Sequence, residues 1–320
     1  MTTKDRAKQV GIMKAKPITE RLATALGKDC FAQPKLRGQR CRVNWVGDKP
    51  LLTSSYGNPF YYLGHIEDEL KEHFFRVPLD GELYRHDPEF TQQHINSILN
   101  RTKNPHPDAQ HISLYVFDLV ANDFQWSRLT RLDTIFSDKS VSHVAKVPYQ
   151  LIETSEWPAH AADYLSQGYE GIILRSLSGH YAPLNPLEDA KRPSCLLKFK
   201  PSEKDEYLII DMIEGKGWAT GMLGSFVVVS PEGGANFSVG TGPELTKAKR
   251  QSWWNQRNEL VGKAMLVVKH EPITTDNGIP ICTVAYEVKK VEQLNYELTR
   301  EVTIDNPNKW RNVYRAKGKE

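Results

Sequence analysis

Lys35 stands in the run Gln33-Pro34-Lys35-Leu36-Arg37-Gly38-Gln39-Arg40. A lysine is a nucleophile only through its neutral amine, so a site that uses one must desolvate it or surround it with cations. Gly38, three residues on, lets the backbone turn closely around a bound nucleotide. Arg40 is then within reach of that nucleotide's sugar or phosphates. A surface loop rich in Lys and Arg has the same appearance, so this run decides nothing by itself.

Four further runs carry chemistry of a related kind. In Leu79-Asp80-Gly81-Glu82-Leu83-Tyr84, an acid follows a glycine at the entry to a strand, where Glu82 can orient a ribose hydroxyl or a divalent cation. A turn with a solvated Glu is the plain alternative. Tyr115-Val116-Phe117-Asp118 is an apolar strand ending in an acid, and Phe117 suits either a purine face or the core. In Tyr169-Glu170-Gly171-Ile172-Ile173-Leu174-Arg175, the Glu170 carboxylate is placed to hold Mg2+ against a phosphate. In Leu196-Leu197-Lys198-Phe199-Lys200-Pro201, Lys198 and Lys200 share one strand face. There both can meet one polyphosphate and depress the pKa of Lys35, although a lone Lys-x-Lys is commonly a solvated face.

These residues need elements to position them. Strand-like runs fall at 40–45, 78–84, 112–120, 150–153, 171–175 and 196–200, and helical periodicity at 18–26, 66–74, 89–99, 128–136 and 159–166. The mixture predicts an α+β domain of antiparallel sheets rather than regular βαβ winding. After Pro201 the texture changes to short strands at 207–214, 224–229 and 236–239, a connector at 230–234, a helix over 244–260, and strands at 264–270 and 283–289. Such an arrangement fits a small Greek-key barrel of the OB type. The boundary is expected at the polar stretch 201–205, a hinge that separates domains at 1–202 and 203–320.

Bulk properties bound the reading. A chain of 320 residues with 39% hydrophobic and 25% charged residues can bury one large core or two moderate ones. No apolar run approaches the roughly 20 residues of a membrane helix, and the start, MTTKDRAKQVG, has no apolar signal core. Cys30, Cys41, Cys195 and Cys282 are scattered, which argues against a zinc knuckle or a disulfide framework and for a reducing cytoplasm. The formal charge of +3 permits a nucleic-acid partner without announcing one. Both ends are basic: Lys4, Arg6, Lys8, Lys14 and Lys16 at the start, and Lys309, Arg311, Arg315, Lys317 and Lys319 around Trp310 and Tyr314 at the finish. They read either as grips on a phosphate backbone or as frayed, solvated termini.

In this order, the five runs resemble the signature of the covalent nucleotidyltransferases, which include DNA ligases, RNA ligases and mRNA capping enzymes. The likeness spans most of the chain. Gly224-Ser225-Phe226-Val227-Val228, Phe237-Ser238-Val239-Gly240-Thr241-Gly242, then Arg250 and Trp253 or Trp254 ahead of Leu260-Val261-Gly262-Lys263, are similar to the OB domain of small phage-type ATP-dependent DNA ligases. The resemblance implies an ATP-grasp-like nucleotidyltransferase domain followed by an OB-fold β-barrel, closing around DNA. It implies that Lys35 attacks the α-phosphate of ATP and carries AMP, with Gln33 at the adenine edge, Arg40 and Glu82 on the ribose and Phe117 over the adenine face. Glu170 with Glu82 places Mg2+ or Mn2+, and Lys198 and Lys200 neutralise the α-phosphate. The implied partner is nicked double-stranded DNA, bound by a monomer in a phage-host or bacterial cytoplasm without a membrane. The acceptance of RNA-containing strands stays open, as do two alternatives: an RNA or RNA/DNA-joining enzyme of the same chemistry, and a degenerate nick-binding protein.

Three departures from the family pattern bear on these roles. Arg37 stands where ligases usually have Asp, and a second cation there would favour a neutral Lys35. Ser55, in Ser54-Ser55-Tyr56-Gly57, replaces an Arg expected near the nick phosphate. Ile281 interrupts the closing Pro-Arg-x-Pro motif, which in the family orients the pyrophosphate, and Lys289 stands at its final Arg, so self-adenylylation is expected either to be slow or to depend on Lys289 and Lys290.

Overall fold

A computed structural model describes residues 8–137, 139, 141–230, 234–272, 274–275, 278–290, 296–303 and 306–316. The chain divides into two compact units, one ending at Lys200 and the other running from Pro201.

The first unit holds β1 (Lys16–Pro17), β2 (Asp29–Lys35), β3 (Gln39–Val46), β4 (Lys49–Thr53), β5 (Leu79–Tyr84), β6 (Ser113–Leu119), β7 (Val144–Lys146), β8 (Gln150–Glu153), β9 (Gly171–Ser176) and β10 (Leu196–Phe199). They form two five-stranded sheets, β1-β10-β9-β2-β8 and β4-β3-β5-β6-β7. Pairing is antiparallel except at β1/β10 and β6/β7, each at a sheet edge. Helices α1 (Glu20–Thr24), α2 (Gly64–His73), α3 (Gln92–Leu99), α4 (Gln125–Phe136) and α5 (Trp157–Ser166) complete the unit. Ile66 and Leu70 of α2, Ile95 and Leu99 of α3, and Leu129 and Leu132 of α4 recur at helical spacing. They pack on Cys41, Val43, Leu79, Leu83, Leu114 and Val116 of the second sheet. The α4 face that buries Leu129 and Leu132 also buries Gln125 and Arg128, so one helix drives a charge into the interior.

Strand β2 escaped the sequence reading, and it carries the nucleophile candidate at its end. Five consecutive residues of β2 are buried, so it shows no alternation, and Pro34 argues against a strand. The proline fits because β8 pairs only with residues 29–32, leaving one side of β2 unpartnered at Pro34. The helix expected at 18–26 shrinks to α1 because Ile18 still bonds the Lys198 carbonyl and Thr19 caps the helix at Leu22. The described part of the N-terminal basic run is neither frayed nor free. Gly11 and Lys14 donate backbone bonds to Glu188 and Lys191, Lys8 pairs with Asp189 at 3.3 Å, and Lys16 Nζ donates to Ser194 Oγ at 2.8 Å. Lys4 and Arg6 lie outside the described residues.

The second unit is built on β11 (Glu203–Glu214), β12 (Leu223–Val229), β13 (Phe237–Val239), β14 (Ala264–His270) and β15 (Val284–Lys290), in the order β13-β12-β11-β14-β15. All of these pairs are antiparallel. Just past edge strand β13, the Thr241 carbonyl accepts from Ala285 N of the opposite edge strand β15 at 2.8 Å, so the sheet curls back on itself. The expected helix over 244–260 is broken into a 3-10 turn (Pro243–Leu245), α6 (Lys247–Asn255, capped by Thr246) and α7 (Arg257–Leu260). Arg250 fastens α6 to the sheet, donating to the carbonyls of Leu245, Leu223, Gly224 and Gly240 at 2.6–2.9 Å. The polar stretch expected as a hinge is strand from Glu203 onward, paired with β14 up to His270. Of the 230–234 connector, residues 231–233 lie outside the described residues. The basic C-terminal run contributes to a hairpin of β16 (Tyr296–Thr303) and β17 (Asn306–Ala316), where a tail was expected; Lys317 and Lys319 are outside the described residues. Cys30, Cys41 and Cys195 are free thiols. Among the described residues, no helix is long and apolar enough to cross a membrane.

Candidate active site

A cavity of about 350 Å3 opens within the first unit and gathers Gln33, Lys35, Arg40, Glu82, Phe117 and Lys198. Sheet register explains the gathering. Lys35 ends β2 opposite Gly171, and Glu170 N donates to the Lys35 carbonyl at 2.9 Å, which sets the two side chains together. Lys35 Nζ pairs with Glu170 Oε2, while Glu170 Oε1 takes Lys200 Nζ at 3.3 Å. The buried Glu170 carboxylate therefore lies between two ammonium groups. Burial, and then the charges of Lys35 and Lys200, push the Lys198 ammonium below the usual lysine range.

Glu82 faces Arg40 across the β3/β5 ladder. Burial pushes its carboxyl up to about 7, against the pull of Lys35 and Arg40 and with the help of Glu170. The tightness of this corner explains Gly38: a Cβ there would run into the Leu83 carbonyl and meet Glu82 Cγ at 2.8 Å.

Arg40 is held differently from the sequence expectation. Its Nε donates to Asp80 Oδ1 at 2.6 Å and its Nη2 pairs with Asp80 Oδ2, so two of its three nitrogens are committed to protein. Burial works against the charge, yet Asp80 holds the guanidinium above the usual arginine range. Tyr181 Oη donates to the same carboxylate at 2.6 Å. The guanidinium lies 4.5 Å from the Phe117 ring centroid.

Gln33 is buried and oriented at both ends. Its amide donates to the Phe117 carbonyl at 3.3 Å, and its Oε1 accepts from Arg175 Nε at 2.7 Å. Arg175 also donates to Asp118 Oδ2 at 2.8 Å. Asp118 is shared with Arg128, whose Nε and Nη2 stand 2.8 and 3.2 Å from its two oxygens. Gln125 closes the network on both Asp118 and Arg128. This polar floor was missed. The signal available was an arginine ending the apolar Gly-Ile-Ile-Leu-Arg strand on the face of Ile173, which also lines the cavity. Lys14 and Arg192 add unforeseen cations to the wall, and burial together with Arg192 lowers the Lys14 pKa.

The departing residues fall in distinct places. Arg37 is half-buried. Ser55 lines the cavity and also a neighbouring one of about 660 Å3 that holds Tyr56, Tyr61 and Asn100, and Gln9 donates to its hydroxyl at 3.2 Å. Lys289 belongs to the second unit, where it donates to Glu206 at 2.5 Å; the Ile281 carbonyl accepts from Glu271 N. As for a metal, Glu82 is half-buried and Glu170 buried, the charge of Glu170 helps to raise the Glu82 carboxyl, and two such hard oxygen donors beside the cavity fit a divalent cation.

An α+β unit with a lysine at a strand end facing a nucleotide-sized cavity, followed by an antiparallel OB-type sheet, defines a nucleotidyltransferase architecture. The chain belongs to the ATP-dependent DNA ligase domain family, whose model matches residues 12–200, more than half of its length. A DNA ligase of African swine fever virus is 29% identical over 271 residues, covering 79% of this chain and 62% of the viral protein. A DNA ligase of Natronomonas pharaonis is 28% identical over 211 residues, covering 61% of this chain and 36% of that protein. The chain thus spans 62% of the length of the viral relatives it matches. A solved structure from a study of Lig E DNA ligases shares the fold, with a TM-score of 0.69 at 22% identity over 87% of this chain and 99% of that one.

Proposed function

We propose that the chain is an ATP-dependent DNA ligase that seals 5′-phosphate/3′-hydroxyl nicks in duplex DNA. The observation that carries this reading is the convergence of Gln33, Lys35, Arg40, Glu82, Phe117 and Lys198 on one cavity, with Glu170 on the lysine. ATP lies with its adenine edge against Gln33 and its face against Phe117, while Glu82 and Arg40 take the ribose. Lys35 Nζ, having given one ammonium proton to solvent, attacks the α-phosphorus; the bond from that phosphorus to the bridging oxygen breaks, pyrophosphate departs, the nitrogen sheds a second proton and a lysyl-AMP phosphoramidate remains. Before that attack, Lys35 must part from Glu170; Glu170 and Glu82 are the carboxylates that would hold a divalent cation. That cation, Mg2+ or Mn2+, supplies charge neutralisation at the phosphates. Lys198 and Lys200 meet the non-bridging oxygens as charge grows on them.

AMP then passes to the 5′-phosphate of the nick, and the adjacent 3′-hydroxyl displaces it. Lys289 assists pyrophosphate orientation in place of an arginine, and the domains divide at about residue 202. The enzyme works as a monomer in a reducing cytoplasm. The test is incubation with α-phosphate-labelled ATP and Mg2+, wild type beside Lys35→Ala, followed by a nicked duplex. Label held by wild type alone and lost as sealed strand appears is the expected result. Wild type that takes no label yet binds the nick would overturn the ligase reading in favour of a nick-binding protein.

A further inference from the structure

A second group of ligating side chains lies where α3 meets the 3-10 turn Pro107–His111. His94 of α3 approaches Asp108 at the 3-10 turn Pro107–His111, with Nε2 3.0 Å from Oδ2, and His106 Nδ1 stands 3.6 Å from the same oxygen. One ligand atom from each of the three residues lies within 4.8 Å of the others. Bonds of roughly 2.0–2.1 Å in tetrahedral geometry set ligand atoms roughly 3.3 Å apart, and the two measured separations bracket that spacing.

Hydrogen bonding sharpens the point. The other nitrogen of His94, Nδ1, faces the Glu89 carbonyl at 3.4 Å, so both ring nitrogens look at oxygen acceptors. A neutral imidazole donates through one nitrogen only. With Nδ1 turned to a carbonyl, as metal-bound histidines commonly are, the Nε2 lone pair meets a carboxylate, and an electropositive centre belongs between them. His106 Nδ1 accepts the Asp108 N–H at 3.2 Å, so it too presents a lone pair on this side. The His94 ring is fixed by stacking on Phe90, with centroids 4.9 Å apart and planes 19° apart.

We propose that His94, His106 and Asp108 form a zinc site that clasps α3 to the 107–111 turn. Two imidazoles and one carboxylate select Zn2+ over the hard cations, and the half-exposed setting leaves the fourth position to water. His106 exchanges its long bond to Asp108 N for the metal. The clasp braces the adenylate cavity without touching it. On α3, Gln92 donates to the Gly38 carbonyl at 2.7 Å, and Asn96 accepts from Gln39 at 2.7 Å, while the 107–111 turn leads into β6 and Phe117.

The test uses the full chain, stripped with a chelator and titrated with Co2+ alone, since tetrahedral Co2+ absorbs visible light. One equivalent with a visible band that Zn2+ abolishes is expected. His94→Ala, His106→Ala and Asp108→Asn should each weaken binding at least about tenfold, because loss of an outer-shell partner alone costs 10–100-fold. Asp205→Asn, in the other His-containing group among the described residues (Glu203, Asp205 and His270), should leave the titration unchanged. If the histidine variants fail to fold, zinc-edge X-ray absorption of the wild type must show two imidazoles around the metal. Absence of the band, a titration unaltered in His94→Ala, or oxygen-only scattering would overturn the site and leave a proton between His94 and Asp108.

Discussion

Arg175→Met cuts the polar floor of the cavity while keeping the length of the buried stem. Asp118 loses one guanidinium but keeps Arg128 at 2.8 and 3.2 Å, so the cost on that side falls below the about 3–5 kcal/mol of breaking a lone buried pair. Gln33 Oε1 loses its 2.7 Å donor inside the protein, which costs about 1–3 kcal/mol. Together these predict a loss from the first unit larger than the about 1–3 kcal/mol of the glutamine alone. The sharper quantity is the coupling. In the Arg175→Met background, Gln33→Met removes an acceptor that is already orphaned, so the double variant should be more stable than the sum of the singles by about 1–3 kcal/mol. Urea unfolding of the full chain, fitted with one transition per unit, measures all four corners of the cycle. If the two changes add to within about 0.5 kcal/mol, the Gln33–Arg175 bond does not orient the glutamine and the reasoning fails.

Two shorter predictions concern the Glu82 corner, beside those for Lys35→Ala labelling and for Co2+ binding given above. Because burial lifts the Glu82 carboxyl from its ordinary 4.5 to about 7 in the folded chain, the folded state binds that proton more tightly than the unfolded one. Its contribution to stability is therefore complete below about pH 4.5 and lost as the pH climbs through 7, amounting to at most about 3 kcal/mol. Glu82→Gln should match wild type in urea near pH 5 and exceed it near pH 8; parallel pH profiles would rule this out. Gly38→Ala forces a methyl against the Leu83 carbonyl and should cost about 1–3 kcal/mol. An unchanged melting temperature would show that β3 and β5 can part there.

The ordered motifs were legible because each pairs a chemical side chain with a glycine or a strand end, and those positions survive as sequence spacing. The α+β class with antiparallel sheets followed from strands such as β5 and β6 and from helices with apolar stripes. What stayed hidden shares one physical cause. Arg175, Asp118, Arg128, Asp80 and Arg40 are charges whose burial is possible only because each finds a partner distant in sequence, and a single charged residue in a strand or helix reads as a solvated face until that partner is known. The same limit applied to the N-terminal lysines, whose partners Asp189 and Ser194 lie at the far end of the unit. Strand β2 was lost for the opposite reason, since a fully buried strand carries no alternation to detect.

The bond from Ala285 to Thr241 has a bearing on how the protein behaves in concentrated solution. At that point the two margins of the sheet are tied to each other, so the Ala285 N–H and the Thr241 carbonyl are not available to pair with a strand from another molecule. Where β15 runs on past that bond it carries Glu287, Lys289 and Lys290, and a neighbour trying to pair there would have to bring its chain up against all three charges.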